Sequence, residues 1–263
     1  MVNNVADMRR KLKHKKVLIS GIAGGIGSQL AIEFGSRGCF VLGLDKDVKA
    51  VQKLTNTLDQ LGIMHDISVF NLTAPNANSE YATSVLTKYG GIDILINNAG
   101  ITHIEPIITC DLDKMRDVFE VNFWSSVSLT KEFLPTLKVN KGTIIVINSV
   151  TGFSPLIGRG AYTSSKHALR GFFETLRAEC QKEVDILVVY PDFIRTQLRA
   201  KFKQEKNKSH GSPKQLARRI RVAWNWKKRR LNPSLRALLI SLLAKRHPNL
   251  YMKLMIHNMT NNQ

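Results

Sequence analysis

The sequence has little that would set it apart from an ordinary globular domain. Its three cysteines, Cys39, Cys110 and Cys180, are far apart and odd in number, so neither a disulfide framework nor a metal site is indicated. No run of about eighteen apolar residues occurs, so no transmembrane helix is expected. The basic N-terminus lacks the apolar stretch and cleavage site of a signal peptide. These absences favour a reduced protein in the cytoplasm.

Acidic residues are scarce at the two ends of the chain. Residues 1–16 hold six Lys/Arg and one Asp, whereas residues 17–198 hold sixteen Lys/Arg against eighteen Asp/Glu. Residues 199–263 hold seventeen Lys/Arg and only Glu205 as an acid. The formal net charge of +19 therefore belongs to the ends, with a nearly neutral body between them. A partner attracted by this charge would meet the ends and not the whole surface.

Short apolar runs alternate with helical patterns from Lys16 to Pro191. The runs are rich in Val, Ile and Leu without polar alternation, which is typical of strands covered on both faces. They are Val17–Ser20, Phe40–Leu44, Ile67–Phe70, Ile92–Ile96, Thr143–Asn148 and Ile186–Tyr190. Helices are predicted between them, for example over 26–37, 47–61, 111–138 and 163–182. The pattern predicts an α/β fold, a doubly wound parallel sheet of the Rossmann type with helices on both faces.

The last fifty residues change character. We expect a basic segment over 1–15, a single α/β domain over 16–212 and a basic helical extension over 213–263. Pro213 suits the first turn of a helix, and the leucines of 235–243 follow the spacing of an amphipathic helix. No strand is expected after residue 191.

A glycine-rich turn follows the first predicted strand and opens the first helix. The turn contains Gly21, Gly24, Gly25, Ile26 and Gly27. Glycine allows the chain to turn sharply and its backbone to approach a ligand closely. The free N–H groups and the positive end of the helix dipole suit a pyrophosphate. The context therefore predicts a dinucleotide site, although glycines that only allow close packing would give the same letters.

Asp45 ends the second predicted strand, eighteen residues after Gly27. A carboxylate there can accept hydrogen bonds from the adenine ribose of NAD and repels the 2′-phosphate of NADP. Lys46 follows directly and would weaken that discrimination. The alternative for Asp45 is a turn or helix-capping acid.

Tyr162 and Lys166 lie four residues apart on a predicted helix and so share a face. A cation about 5 Å from the phenol would stabilise the phenolate by roughly 3 kcal/mol, or about two pKa units. That shift brings tyrosine closer to the range useful for proton transfer. Ser149 follows the fifth predicted strand, at the edge where open α/β sheets bind ligands, and can orient a substrate oxygen. Capping or turn roles are the alternative for this serine.

Together these motifs resemble the short-chain dehydrogenase/reductase family over residues 16 to about 198. The resemblance implies a catalytic set and a cofactor set. The catalytic set is Asn122, Ser149, Tyr162 and Lys166. The cofactor set comprises the glycine turn, Asp45, Tyr162 and Lys166 together with Asn71, Leu72, Asn98, Ala99, Gly100, Pro191, Ile194 and Thr196. Asn97 opens the family's Asn-Asn-Ala-Gly segment, which also stabilises the central sheet.

The sequence departs from the family pattern at two positions. Asn71 stands where the family usually has an aspartate that contacts the adenine amino group, and its carbonyl oxygen could still accept. Asp192 replaces the glycine that usually follows the proline, so a carboxylate lies beside the nicotinamide and substrate positions. Asp192 either contacts the substrate or caps the next segment. The expected lack of a final strand is a third departure.

The resemblance implies an NAD-dependent oxidoreductase that interconverts a secondary alcohol and its carbonyl, with Tyr162 as the proton-transferring residue. The alcohol could be a steroid, a retinoid or another lipid-like molecule. The alternatives are an NADPH-dependent carbonyl reductase and a dinucleotide-regulated binding protein. A homodimer or homotetramer is also implied by the resemblance.

The basic extension has three interpretations. Its leucines either pack on the body and cover the substrate cleft, or rest with their basic flanks on an anionic membrane surface. Nucleic-acid binding is a less favoured third, because Trp224 and Trp226 lie beside the basic run 227–230. One buried and one exposed tryptophan would explain that cluster equally well.

Overall fold

The computed structural model describes residues 12–192, 194, 211–232 and 234–260. Seven parallel strands form one sheet in the order β3-β2-β1-β4-β5-β6-β7. The strands are β1 (Lys16–Ser20), β2 (Phe40–Asp45), β3 (His65–Val69), β4 (Ile94–Asn97), β5 (Thr143–Ile147), β6 (Asp185–Val189) and β7 (Arg230–Leu231). The predicted α/β fold is confirmed, and each predicted strand is found within two residues of its expected bounds.

Helices cover both faces of the sheet. They are α1 (Gly25–Gly35), α2 (Val48–Gln60), α3 (Ala77–Tyr89), α4 (Leu112–Phe119), α5 (Ser125–Val139), α6 (Gly160–Cys180), α7 (Pro213–Asn225), α8 (Leu235–Arg246) and α9 (Pro248–Thr260). Because the inner strands β1, β4, β5 and β6 are covered on both sides, almost all of their residues are buried. Two apolar cores result, one on each face of the sheet.

The helix predicted over 111–138 is interrupted. A π-helical turn (Glu120–Trp124) separates α4 from α5. Such a turn accommodates one extra residue in a helix and often occurs at functional sites. The periodicity of the apolar residues did not reveal the interruption, because a single inserted residue shifts the pattern only slightly.

The expectation that no strand follows residue 191 is wrong. β7 pairs in parallel with β6, with Val188 beside Arg230 and Val189 beside Leu231. It contains only two residues, too few for an apolar run to reveal it. Within the described part of the chain, no helix is long and apolar enough to cross a membrane.

Helix α7 packs against α1 and buries the apolar face that its spacing predicted. Trp224 is buried and its indole N–H donates to Thr143 Oγ1 at 3.2 Å, whereas Trp226 is half exposed. One buried and one exposed tryptophan is the arrangement expected without nucleic acid.

Candidate functional site

The glycine turn lies at the carboxyl end of β1, where the chain reverses into α1. Gly21 has a φ of +63°, and a Cβ there would lie 2.8 Å from Ala99 Cα. Gly24 precedes the helix, and no side chain caps its first turn. The first amide groups of α1 are therefore available to an anion. Gly27 is buried, and a Cβ on it would collide with the Gly21 carbonyl oxygen, so this glycine serves packing.

Asn98 holds the turn in place from the neighbouring strand. Its side-chain N–H donates to the carbonyl oxygens of Ser20 (3.0 Å) and Gly21 (2.9 Å). In return Ser20 Oγ accepts from the backbone amides of Asn98 and Ala99, at 3.0 and 3.1 Å. Asn97, one residue earlier, donates to Thr130 Oγ1 and joins the sheet to α5. These bonds fix the geometry of the turn before any ligand arrives.

Asp45 lines the same cleft as the glycine turn, together with Lys46. Its Oδ2 accepts from the amide of Ala23 in the turn at 3.1 Å, and its Oδ1 accepts from the amide of Asp47 at 3.2 Å. The cap of α2 is Asp47, whose side chain accepts from Ala50 N. Asp45 is thus a turn acid as well as a cleft residue, and each of its oxygens keeps a lone pair for a ribose hydroxyl.

Asn71 and Leu72 border the cleft after β3. Asn71 Oδ1 accepts from both the amide (3.2 Å) and the hydroxyl (3.0 Å) of Thr73. The oxygen that was expected to serve an adenine amino group is therefore already engaged. The carbonyl of Leu72 accepts from the Asn78 side chain at 3.2 Å.

Asn122 occupies the centre of the π-helical turn and is fully buried. Its side chain donates to the Ile101 carbonyl (3.0 Å) and to Ser165 Oγ (3.0 Å), and it accepts from the Ile101 amide at 2.8 Å. A Cβ at Gly100 would lie 3.2 Å from the Asn122 amide oxygen and 3.7 Å from Lys166 Nζ. Only glycine leaves open space here, which is where the cofactor cleft reaches the catalytic groups.

Tyr162 and Lys166 lie on one face of α6, as their spacing predicted. Lys166 Nζ lies 5.7 Å from the centroid of the Tyr162 ring and donates to the Ile147 carbonyl at 3.0 Å. The lysine is 4% exposed, and burial lowers its pKa to about 8. The cause is desolvation, which disfavours the charged ammonium ion. Tyr162 itself is half-buried and lines the cleft.

Ser149 is the cap of a short 3-10 helix (Val150–Gly152) after β5. Its Oγ accepts from the Thr151 amide at 3.2 Å, and its own amide donates to Asn148 Oδ1 at 2.8 Å. The capping role foreseen as the alternative is therefore present. The same hydroxyl lines the cleft beside Tyr162, so the two roles coexist.

Two clefts meet at the carboxyl edge of the sheet. One holds the glycine turn and Asp45, the other holds Ser149, Tyr162 and Lys166, and both are lined by Ile26, Asn98 and Gly100. Pro191 and Ile194 border the second cleft. Thr196 lies outside the described residues. The residues at this junction fit a dinucleotide that spans both clefts, because glycines line one end and the buried Lys166 lies at the other.

Arg159, Ile240 and Tyr251 line the cleft but were not predicted from the sequence, whereas Asp192 was. Arg159 is buried and donates to Thr102 Oγ1 at 3.2 Å. Asp192 Oδ2 accepts from Ser234 Oγ at 2.8 Å, and Ser234 Oγ also accepts from Ala237 N at the start of α8. Asp192 therefore ties the C-terminal helices to the cleft. From these helices, Ile240 and Tyr251 also line the cleft.

One further cluster lies at the rim. His103, Glu105 and Cys110 place their potential ligand atoms within 4.8 Å of one another, a grouping that their spacing in the sequence did not suggest. Glu105 is already bonded to His103 (2.6 Å) and approached by Lys114 (3.4 Å). The carboxylate of Glu105 is therefore already neutralised by side chains of the protein.

The family model described as short chain dehydrogenase matches residues 15–207. The chain belongs to the short-chain dehydrogenase/reductase family. Members are oxidoreductases that bind NAD(P), and the predicted resemblance is confirmed.

Relatives from animals and plants agree with this assignment. Rat dehydrogenase/reductase SDR family member 7B is 35% identical over 195 residues, which are 71% of this chain and 60% of the relative. Dehydrogenase/reductase SDR family protein 7-like of Drosophila melanogaster is 35% identical over 81% of this chain and 70% of its own length. An Arabidopsis thaliana protein called 11-beta-hydroxysteroid dehydrogenase-like 2 is 32% identical over 70% of this chain and 60% of its own. The chain thus spans about 60% of the length of the rat relative.

Solved structures share the fold. A short-chain dehydrogenase from Streptomyces avermitilis superposes with a TM-score of 0.82 at 23% identity, covering 95% of this chain and all of that one. A gluconate 5-dehydrogenase from Beutenbergia cavernae, described as putative and NAD(P)-dependent and solved with bound NADP, superposes with a TM-score of 0.76 at 20% identity, covering 84% of this chain and 94% of that one.

Proposed function

We propose that the chain is an NAD-dependent oxidoreductase that interconverts a secondary alcohol and its carbonyl, with Tyr162 as acid and base. The observation that carries this proposal is the pairing on α6. A buried ammonium group at Lys166 lies on the same helix face as the half-buried Tyr162, in a cleft that also contains the Ser149 hydroxyl. A cation kept out of water interacts more strongly with a nearby phenolate than an exposed one.

Each side chain then has a definite task. In alcohol oxidation Tyr162 takes the hydroxyl proton, and Ser149 donates a hydrogen bond to the same substrate oxygen. Lys166 stabilises the phenolate, and Asn122 holds the 101–102 segment through its two bonds to the Ile101 backbone. The bound nicotinamide supplies the hydride acceptor. The proton leaves past Lys166 and Asn122 toward solvent.

The preference for NAD rests on Asp45. Its carboxylate lines the cleft near the glycine turn, where it can accept from a ribose hydroxyl and repel a 2′-phosphate. Lys46 borders the same cleft and favours the second candidate, an NADPH-dependent carbonyl reductase.

A lipid-like alcohol suits the substrate cleft. Its lining includes the apolar side chains of Val150, Leu156, Ile194 and Ile240, with Arg159 as a polar contact. One relative carries the name of a hydroxysteroid dehydrogenase, a class of this chemistry. Steroids, retinoids and similar secondary alcohols form the first panel to be screened.

Calorimetric titration of the purified chain with NADH and with NADPH tests the cofactor assignment. We expect tighter binding of NADH, and in Asp45→Asn a preference shifted toward NADPH by about tenfold, because one repelling charge is removed. Tyr162→Phe should bind the cofactor as wild type does and lose at least a thousandfold in turnover. Tighter NADPH binding by the wild type would establish the reductase instead. Full turnover by Tyr162→Phe contradicts the proposed chemistry.

A further inference from the structure

The two C-terminal helices expose large apolar side chains. Four leucines of α8 are between 39% and 72% exposed, and four large apolar side chains of α9 are between 36% and 51% exposed. The apolar face consists of Leu235, Leu238, Leu239 and Leu242, whose i, i+3, i+4, i+7 spacing puts them on one side of α8. On α9, Leu250 and Leu254 lie on one side of the helix and Met252 and Ile256 on another. Four of the five leucines that one interpretation packed on the body are therefore exposed, and only Leu243 is half-buried. Large apolar side chains exposed together on one side of a helix mark an interaction site.

The opposite side of the helix pair is anchored at the substrate cleft. Ala237 is fully buried, and Ile240 lines the cleft from α8. Tyr251 of α9 also lines it, and its hydroxyl donates to the Pro155 carbonyl at 3.0 Å. The Ser234–Asp192 bond fixes the start of α8. The apolar face thus points away from the body while the same helices form part of the cleft.

The charged side chains carried by these helices have one sign. Residues 211–263 contain no Asp or Glu, and Lys245, Arg246 and Lys253 are exposed on α8 and α9. The structure separates these cations from the basic run 227–230, which ends at the first residue of β7 and of which 227–229 border the amino ends of β5 and β6. The basic extension is therefore two surfaces at opposite edges of the sheet, and only one adjoins the apolar face.

We propose that α8 and α9 dock on an anionic lipid bilayer, with the apolar face in the interface and the three cations at the headgroups. Exposed leucines beside lysine and arginine are the composition of helices that lie in a membrane interface. At 1.5 Å per residue, helices of 12 and 13 residues are about 18–20 Å long and suit a position along the surface. A second copy of the chain is a poorer occupant, because it would bring the same positive charge against these cations.

Docking in this orientation places the substrate cleft close to the bilayer, because the helices that carry the apolar face also line the cleft, through Ile240 and Tyr251 on their opposite side. This inference rests on the proposed function and adds the class of substrate to it. The substrate is an alcohol dissolved in the membrane, which enters the cleft along α8 and α9. Binding to lipid does not itself depend on turnover, so the two proposals can fail separately.

Flotation of the full chain with vesicles of phosphatidylcholine, with and without phosphatidylserine, tests the docking. We expect binding to the anionic vesicles that weakens with added salt. The variant Leu238→Gln/Leu239→Gln/Leu242→Gln should bind at least about tenfold more weakly, because these side chains bury less apolar area in the interface. Its matched control is Val48→Gln/Leu61→Gln/Val139→Gln, which alters three exposed apolar residues elsewhere and should bind as wild type does.

Charge is tested in the same way. Lys245→Gln/Arg246→Gln/Lys253→Gln should bind the anionic vesicles roughly 100-fold more weakly. Lys227→Gln/Lys228→Gln/Arg229→Gln removes the same charge at the opposite edge and should retain nearly all binding. Equal losses in the two variants would show that only net charge matters and would overturn the assigned surface.

Two other results would also overturn the proposal. Failure of the wild type to float with anionic vesicles is one. Dissociation of a wild-type oligomer by the leucine variant, seen in sedimentation velocity, is the other, because it shows that a second copy covers the face. Turnover of a water-soluble alcohol without vesicles should be unchanged in the leucine variant. Vesicle binding by a wild type that turns over no alcohol would leave the docking intact and refute the proposed function alone.

Discussion

Replacing Lys166 with methionine should change how the stability of the folded chain depends on pH. The wild-type ammonium group is buried beside Tyr162, with the Ile147 carbonyl as its hydrogen-bond acceptor. Methionine has a similar length and no charge. The substitution therefore removes the desolvation cost that burial imposes on the lysine, together with one hydrogen bond.

The magnitude follows from the pKa. Burial lowers the Lys166 pKa from 10.5 to about 8 in the folded chain. Between these values the unfolded chain binds the proton more tightly, so the free energy of unfolding of the wild type rises with pH across this window. Below pH 8 the buried charge costs the folded state about 3 kcal/mol, at about 1.4 kcal/mol per pKa unit. Most of that cost disappears by pH 10.

Urea unfolding of wild type and Lys166→Met at pH 7 and pH 10 measures this term. The stability of the variant relative to wild type should fall by about 2–3 kcal/mol between the two pH values. The lost bond to Ile147 shifts both differences equally and so cancels. Lys131→Met, at an exposed lysine of α5, is the matched control and carries no burial cost. A relative stability of Lys166→Met that stays constant with pH would refute the reasoning.

Two further substitutions test how the site is built. Gly21→Ala should destabilise the fold by about 1–3 kcal/mol in thermal unfolding and abolish NADH binding. Alanine is strained at a φ of +63°, and its Cβ would lie 2.8 Å from Ala99 Cα. Unchanged NADH binding would show that the turn does not hold the cofactor. Ser234→Ala should lower the free energy of unfolding by about 1 kcal/mol, because it removes the cap of α8. It also frees Asp192 and should raise KM for a bulky alcohol with little effect on NADH binding. Unaltered kinetics would mean that the Asp192 bond does not position α8.

Sequence reasoning succeeded where a residue follows directly from its strand. Asn98, Ser149 and Pro191 come just after β4, β5 and β6, and parallel strands end at the same edge of a sheet. The strand end alone predicted the place of Ser149, whereas Asn98 and Pro191 were predicted from the family resemblance. The Tyr162 and Lys166 pair needs only the helical repeat. The strand ends and the Tyr162–Lys166 pair depend on local periodicity, which can be read directly from the sequence.

Other parts depend on packing over long distances. β7 is two residues long and exists because β6 offers an unpaired edge, which no local pattern records. The bond between Ser234 and Asp192 spans 42 residues, and the cap and the cleft residue each look ordinary alone. The leucines of α8 show the limit most clearly. Their spacing predicts an apolar face but not whether it is buried or exposed. It is exposed because Ala237 and Ile240, on the other side of α8, are the residues that pack against the body.

Exposure of that face is consistent with the way stability is distributed over the molecule. The sheet and its inner helices bury two continuous apolar cores, so the fold does not need the leucines of α8 for its stability. The site, by contrast, holds a buried lysine that costs free energy, which proteins tolerate where function requires it. Apolar side chains left in water impose a comparable burden without stabilising the fold. A bilayer that covers them would remove this burden at the mouth of the cleft, where a lipid-like alcohol would enter.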